Sequence, residues 1–459
     1  MATPPNTQGL SNTDGSSNTV EDSLHIVEVD KVQANLFFDG TLNNYFNVTT
    51  TDATVRDKHG GDDTSYDNAL SNVARMWKPL GQERDGPDIG VYVEGMGTTG
   101  LQDDSLSGYA MGDGDTGIKQ RAQSAFEPLQ SIVARKRGKR GLPAILELNL
   151  FGFSRGAATA RHFASLLRNP AEIKKHFTND WSRVHVVVNF VGLFDTVSSE
   201  GLAYGNDVAD LQLRFTDEAA RRVFHLVALD EYRDHFSVTT IDSALHAKAL
   251  VDGARVPMGF EMGIPGAHSD VGGGYKAGVL PSELGAPPPK ATGPLEETER
   301  RNLPPTTSSG EGVVQPGPQA FVYAKGWYRP KDSKANFWHP YRHERTLKGD
   351  YFKVGLSLMV DMAERHTTTF YSSRLKTLIT AKAQDIAQIQ ARLRDIAREK
   401  AFSPGQPTRL DFPLEALVSP KDAKDFRHDF LHLSLNLDKT GMGPRYKDDT
   451  QLERERVRG

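Results

Sequence analysis

The sequence predicts an α/β fold: a central, mostly parallel sheet with helices on both faces, followed by a helical C-terminal region. Three observations carry that prediction. Near-continuous apolar runs such as Ile145–Phe153 and Val184–Phe194 have the composition of strands buried on both faces. The first of them passes through Gly152-Phe153-Ser154-Arg155-Gly156 directly into the small-residue segment Ala157–Ala164, which reads as strand, tight turn and helix. At 459 residues the chain can bury a large core, and length alone allows about three domains or one α/β core with insertions.

Taken in chain order, residues 1–25 are rich in Ser, Thr, Asn and Gly and are expected to form a disordered arm. A catalytic core is expected over 26–280. Val32–Phe38 reads as a strand running into Asp39-Gly40-Thr41-Leu42-Asn43-Asn44. Asp88–Gly97 reads as a second strand leaving toward the same edge, followed by glycine-rich loops to Gly117. Within those loops Met111–Gly117 alternates Asp and Gly in the manner of a calcium loop but lacks the later carboxylates of an EF-hand, which favours a flexible turn. The basic run Arg135–Arg140 is expected to be a solvated loop, with anionic head groups as its alternative partner. Met258–Ala267 reads as another strand, opening into His268-Ser269-Asp270-Val271-Gly272-Gly273-Gly274-Tyr275.

Beyond it, residues 281–318 accumulate Pro, Gly, Ser and Thr around Glu296–Arg301 and are expected to be a linker or long insertion. Residues 319–459 are expected to be helical. There Leu375, Ile379, Ile386, Ile389, Leu393 and Ile396 recur at helical spacing, predicting one long amphipathic helix from Arg374 to Lys400 that ends before Pro404. It packs on the core or a partner, or serves as a lid or membrane contact over an active site. His428 and His432 stand at i, i+4 like a metal pair, but no third ligand is identifiable and a surface pair is expected.

The turn at Ser154 has the form of a nucleophile elbow, in which strain exposes the serine at the top of the sheet and the flanking glycines let the chain pass close to itself. A serine requires a base and the base an orienting acid. Asp195, at the C-terminal end of the second run, and His268, between a strand and a triple glycine, follow in the order Ser, Asp, His of the α/β-hydrolases. Asp195 also suits a cap, His268 a hydrogen-bonded loop, and Asp270 a loop-orienting role. Acyl transfer needs oxyanion donors as well. The N–H of Arg155 is one candidate, and Gly40 or Thr41, after the first strand, is the second. The same Asp39-Gly40-Thr41 also suggests a haloacid-dehalogenase-like phosphatase, which is excluded because Phe37 stands where its nucleophilic aspartate would be.

Composition restricts the alternatives. Net charge is −4 with both signs dispersed, so nothing points to nucleic acid. With 0 cysteines there is no disulfide, thiolate metal site or cysteine nucleophile. The N-terminus lacks the basic start and apolar core of a signal peptide, and no apolar span is long enough to cross a bilayer.

Phe37–Asn44, Gly152–Ala157, Leu193–Val197, Ala228-Leu229-Asp230-Glu231 and Pro265–Tyr275, in this order, resemble the catalytic domain of bacterial type VI secretion phospholipase effectors of the first lipase class. The resemblance covers about residues 30 to 280, with fainter matches at Val354–Ala363 and around Leu431-His432-Leu433-Ser434. It implies phospholipase A1 or A2 hydrolysis of membrane glycerophospholipids without a cofactor. It also implies synthesis in the cytoplasm and delivery without a signal peptide to the periplasm or membranes of a rival cell. A secretion spike protein and a cognate immunity protein are the implied partners. His432 competes with His268 as the base. A serine esterase for small soluble esters and a non-catalytic protein that keeps a hydrolase fold are the other readings.

Overall fold

The computed structural model describes residues 30–61, 64–82, 89–105, 117–177, 179–200, 205–206, 208–276, 297–308, 314–367, 373–406, 408–437, 442–448 and 451–459. Its strands include β1 (Lys31–Phe38), β2 (Ile89–Val93), β3 (Ile145–Phe153), β4 (His185–Phe194), β5 (Arg222–Ala228), β6 (Val238–Thr239), β7 (Gly259–Ile264), β8 (Glu297–Asn302), β9 (Arg342–Leu347), β10 (Arg409–Asp411) and β11 (Arg456–Val457). The helices that shape the site are α1 (Asn72–Gln82), α2 (Phe126–Arg137), α3 (Arg155–Leu166), α4 (His268–Gly272), α5 (Phe352–His366), α6 (Ser373–Ile379), α7 (Gln384–Lys400) and α8 (Pro420–Phe430).

Seven strands form one sheet in the order β10-β7-β5-β4-β3-β1-β2, and each neighbouring pair is parallel. After β1 the chain moves to β2 on one side; after β3 it moves to β4 on the other. The connections therefore diverge between β1 and β3, and such a switch point opens a crevice at the C-terminal ends of the strands. The loop at Asp39 and the turn at Ser154 both lie there.

Alternation along the strands assigns the two faces. Phe37, Phe151 and Phe190 enter one apolar core with Val73 and Met76 of α1, Val354 and Leu358 of α5, and Ile386 and Leu393 of α7. Leu36, Phe38, Leu148 and Leu150 enter the other with Phe126 and Leu129 of α2 and Ala157, Ala160 and Phe163 of α3. The C-terminal region thus supplies a helical layer over the sheet and, through β10, an edge strand.

Several expectations are corrected. β5 is absent from the sequence reading, because buried His225 interrupts its apolar run. The patch assigned to a linker contains β8, paired antiparallel with β9 along its length. The single helix from Arg374 to Lys400 is two helices, α6 and α7. Gln390 Nε2 donates to the carbonyls of Ile379 and Lys353, and Lys353 Nζ donates to that of Thr380, so side chains satisfy the carbonyls where α6 ends and the chain turns back. Ile386, Ile389 and Leu393 of α7 are buried in the core, which leaves its apolar face unavailable as a lid. The basic run begins in the last turn of α2, where positive side chains complement the helix dipole. The N-terminal arm and the residues 111–116 fall outside the described residues.

Candidate active site

β3 and β4 are in register at Phe153 and Phe194, so Ser154 and Asp195 leave the sheet side by side. Ser154 has φ 58° and ψ −127°, a strained conformation for a residue with a side chain, and its N–H donates to the Phe194 carbonyl at 3.0 Å. The flanking glycines are steric necessities. A Cβ on Gly152 would lie 2.6 Å from Ala157 Cα, and one on Gly156 would lie 2.3 Å from the carbonyl oxygens of Phe38 and Asp39. This close approach seats the loop after β1 against the elbow. Arg155 opens α3, and the N–H groups of a helix's first turn aim out of its N-terminal end.

Asp195 is fully buried at φ 46°. His268 begins α4, and its Nδ1 lies 2.5 Å from Asp195 Oδ2. Its ring packs on Phe153, beside the serine, with centroids 4.6 Å apart, and on Phe236 at 5.4 Å. The helix reaches that position because residue 272 is glycine: a Cβ there would lie 2.0 Å from the Phe153 ring. The structure therefore gathers Ser154, Asp195 and His268 at one sheet edge.

Burial alone would raise the Asp195 carboxyl, but the Arg454 guanidinium and the bond to His268 hold it well below the usual carboxylate range. Burial lowers His268 below its ordinary value despite the pull of Asp195, and the charges of Arg233 and Arg454 add to the lowering. The pair at neutral pH is an ionised carboxylate and a neutral imidazole. The hydrogen between them then sits on Nδ1, which leaves Nε2 as a proton acceptor.

Arg454 belongs to the candidate site and is not identified by the sequence. It donates from Nη1 to Asp195 Oδ1 at 2.6 Å and to the Ala228 carbonyl at 3.0 Å, from Nη2 to Asp195 Oδ2 at 2.9 Å, and from Nε to the Phe236 carbonyl at 2.8 Å. The tail holding it is pinned by β11, which pairs with β6. In sequence, Leu452-Glu453-Arg454-Glu455-Arg456 looks like solvated charge and carries no signal of this contact.

The motif Ala228–Glu231 gains a physical role. Asp230 Oδ2 accepts the Gly266 N–H at 2.8 Å, and Glu231 Oε2 accepts the His268 N–H at 3.2 Å, so adjacent carboxylates grip the turn that carries the imidazole. Burial would raise Glu231, yet its bidentate partner Arg233 holds it down at about 2. Next to them His225 Nε2 accepts the Thr196 N–H at 3.0 Å while its Nδ1 faces Glu261, fixing the backbone after Asp195.

His432 lies elsewhere. Its Nδ1 is 2.7 Å from Asp270 Oδ1, its Nε2 is 3.3 Å from Glu297, and its ring stacks on Tyr275. Burial would lower it, but these two carboxylates carry it up to about 9, so it is an imidazolium rather than a base at neutral pH. His428 faces Asp332 and Asp429. The two histidines thus face separate carboxylates, and His432 is buried instead of lying on the surface. Asp270 orients this loop by also accepting the Ala267 N–H at 3.0 Å.

The loop after β1 corrects one expectation. The Gly40 N–H donates to its neighbour's carboxylate, Asp39 Oδ1, at 2.8 Å and is taken out of the oxyanion pair. Thr41 remains. Its Oγ1 is buried and, among the described residues, has no hydrogen-bond partner.

Residues 168–286 match the family described as "T6SS, Phospholipase effector Tle1-like, catalytic domain". Over these residues the chain is similar to the catalytic domain of Tle1-like type VI secretion phospholipase effectors. The matched Tle1-like segment contains Asp195 and His268 and begins after Ser154. Among solved structures, one titled "Structure of the Tle1 effector bound to the VgrG spike from the Type 6 secretion system" is 20% identical. That alignment covers 94% of each chain with a TM-score of 0.56, a likeness of fold. An uncharacterized protein from Pseudomonas aeruginosa is 18% identical over 87% of this chain and 53% of its own, with a TM-score of 0.43. No curated protein matches the sequence. Among the described residues no helix is long and apolar enough to cross a membrane.

Proposed function

We propose that this Tle1-like chain hydrolyses acyl esters of membrane glycerophospholipids, as a phospholipase of the A1 or A2 type, through Ser154, His268 and Asp195. The observation that carries the reading is the contact of His268 Nδ1 with buried, ionised Asp195 on the strand beside the Ser154 elbow. Ser154 Oγ attacks the ester carbonyl as His268 Nε2 takes its proton. The resulting imidazolium is stabilised by Asp195, and its proton then passes to the leaving glycerol oxygen. Water, activated by the same imidazole, releases the fatty acid from the acyl-serine. Arg155 N–H and the Thr41 N–H or hydroxyl serve as the oxyanion donors, and the chemistry requires no cofactor.

The test is digestion of phosphatidylethanolamine and phosphatidylglycerol labelled at one acyl position, with Ser154→Ala alongside. A drop of about 10⁴- to 10⁶-fold in a folded variant, together with loss of fluorophosphonate labelling, is expected. Near-normal turnover by folded Ser154→Ala would exclude it as the nucleophile. Delivery by a VgrG-type spike, an immunity protein in the producer, and action from the periplasmic side of a target membrane complete the proposal. A fused export signal should arrest bacterial growth far more than cytoplasmic expression does, and harmless export of a lipid-active enzyme would refute the site of action.

A further inference from the structure

The two most exposed large apolar side chains among those described are adjacent: Phe337 is 87% exposed and Trp338 is 80% exposed. Their rings meet edge to face with centroids 5.1 Å apart. The turn beneath them is built. Asn336 Oδ1 accepts the N–H groups of Trp338 at 2.9 Å and His339 at 2.8 Å, and the Asn336 N–H donates to the His339 carbonyl at 3.1 Å. The stem is also fixed. Lys334 N–H donates to the Arg342 carbonyl at 2.8 Å, Ser333 bridges His343 antiparallel, and the Leu303 N–H donates to the Tyr341 carbonyl at 3.0 Å.

A rigid turn that presents Phe and Trp to water forgoes burial that either side chain favours, so its geometry calls for an occupant. The charges beside it specify the kind. Lys331 and Lys334 are exposed and enter no ion pair among the described residues, while Asp332, the one acid in the segment from Arg329 to Arg342, is buried and engaged with the Arg329 N–H and His428. The water-facing charge of the turn is therefore positive. A convex tip of two rings covers far less than the roughly 800 Å² per partner of a stable protein interface. A lipid interface closes around such a tip, takes Trp at head-group depth and attracts lysines with its anionic lipids.

We propose that the Phe337–Trp338 turn is a membrane-docking tip that inserts into the head-group region of bilayers containing anionic phospholipid. It shares with the phospholipase reading only the bilayer and does not require catalysis. Binding is therefore measured in the full chain carrying Ser154→Ala, by co-sedimentation with vesicles of phosphatidylethanolamine and phosphatidylglycerol. Phe337→Ala/Trp338→Ala should lower vesicle partitioning roughly 30-fold or more. Lys331→Gln/Lys334→Gln should lower it on these vesicles and leave the weaker binding to phosphatidylcholine unchanged. With Ser154 restored, both variants should keep the melting temperature and the hydrolysis of a monomeric soluble ester, which separates docking from folding and chemistry. Unchanged partitioning of the aromatic variant overturns the proposal. So does loss of capture by a VgrG-type spike with vesicle binding intact, which would assign the tip to a protein. Should the wild type hydrolyse no lipid while the tip still governs vesicle binding, the phospholipase reading fails and the docking tip stands.

Discussion

Replacing Arg454 by Met keeps most of the side-chain volume and removes the charge that faces Asp195. The guanidinium makes two charge-assisted bonds to a fully buried carboxylate and two to backbone carbonyls. Hydrogen bonds to charged groups contribute about 1.5–3 kcal/mol each, and removing one partner of a buried ion pair costs about 3–5 kcal/mol, so the two routes converge on roughly 4 kcal/mol. For a chain of 459 residues, with an unfolding entropy near 2.1 cal/mol/K per residue, that is a fall of roughly 4 °C in melting temperature. Activity should respond separately. Arg454 both immobilises Asp195 and disfavours a positive imidazole, so its loss frees the acid that orients His268 and raises the His268 pKa. The expected outcome is a loss of about 10²-fold in kcat on a soluble ester, with the acid limb of kcat/KM displaced to higher pH. Arg454→Lys, which restores the charge without the fork, should return the limb toward its wild-type position and recover only part of kcat. An Arg454→Met protein with wild-type melting and an unmoved acid limb would show that the contact does not matter.

Other perturbations give equally definite outcomes. In the wild type, because His268 is lowered, kcat/KM should fall on acidification with a midpoint below pH 6.5; a midpoint above it contradicts the burial argument. His268→Ala should be as inactive as Ser154→Ala, whereas His432→Gln should retain turnover, and the reverse result would move the base to the tail. His432→Gln should instead cost stability, on the order of 3 kcal/mol from a pKa raised to about 9. Since the folded pKa is raised, that contribution is fully present below pH 6.5 and lost as pH rises through 9, so the gap from wild type in urea unfolding should close over this window; a constant gap would rule out the ion pair as its source. Gly156→Ala should cost about 1–3 kcal/mol and lower kcat, since its Cβ must push Phe38 and Asp39 away with the loop that holds Thr41; wild-type activity would disprove the need for that approach.

The sequence by itself determined the parts whose physics is local. Ile145–Phe153 and Val184–Phe194 announce buried parallel strands because both faces must be apolar, and the elbow at Ser154 is legible because its glycines answer to atoms within a few residues or on the next strand. The order of Ser154, Asp195 and His268 was readable for the same reason, each at a strand end. Tertiary structure alone decided the rest. Whether His268 or His432 faces Asp195, that Gln390 and Lys353 divide the predicted long helix, and that Glu297–Asn302 is a strand each depend on partners distant in the chain. Arg454 is the extreme case. It meets Asp195 across 259 positions, and nothing within its charged neighbourhood distinguishes it from a solvated arginine. A side chain's environment is set by what folding brings around it, and in a low-dielectric site a single buried guanidinium governs the acid of the candidate triad, where the same group in water would govern nothing.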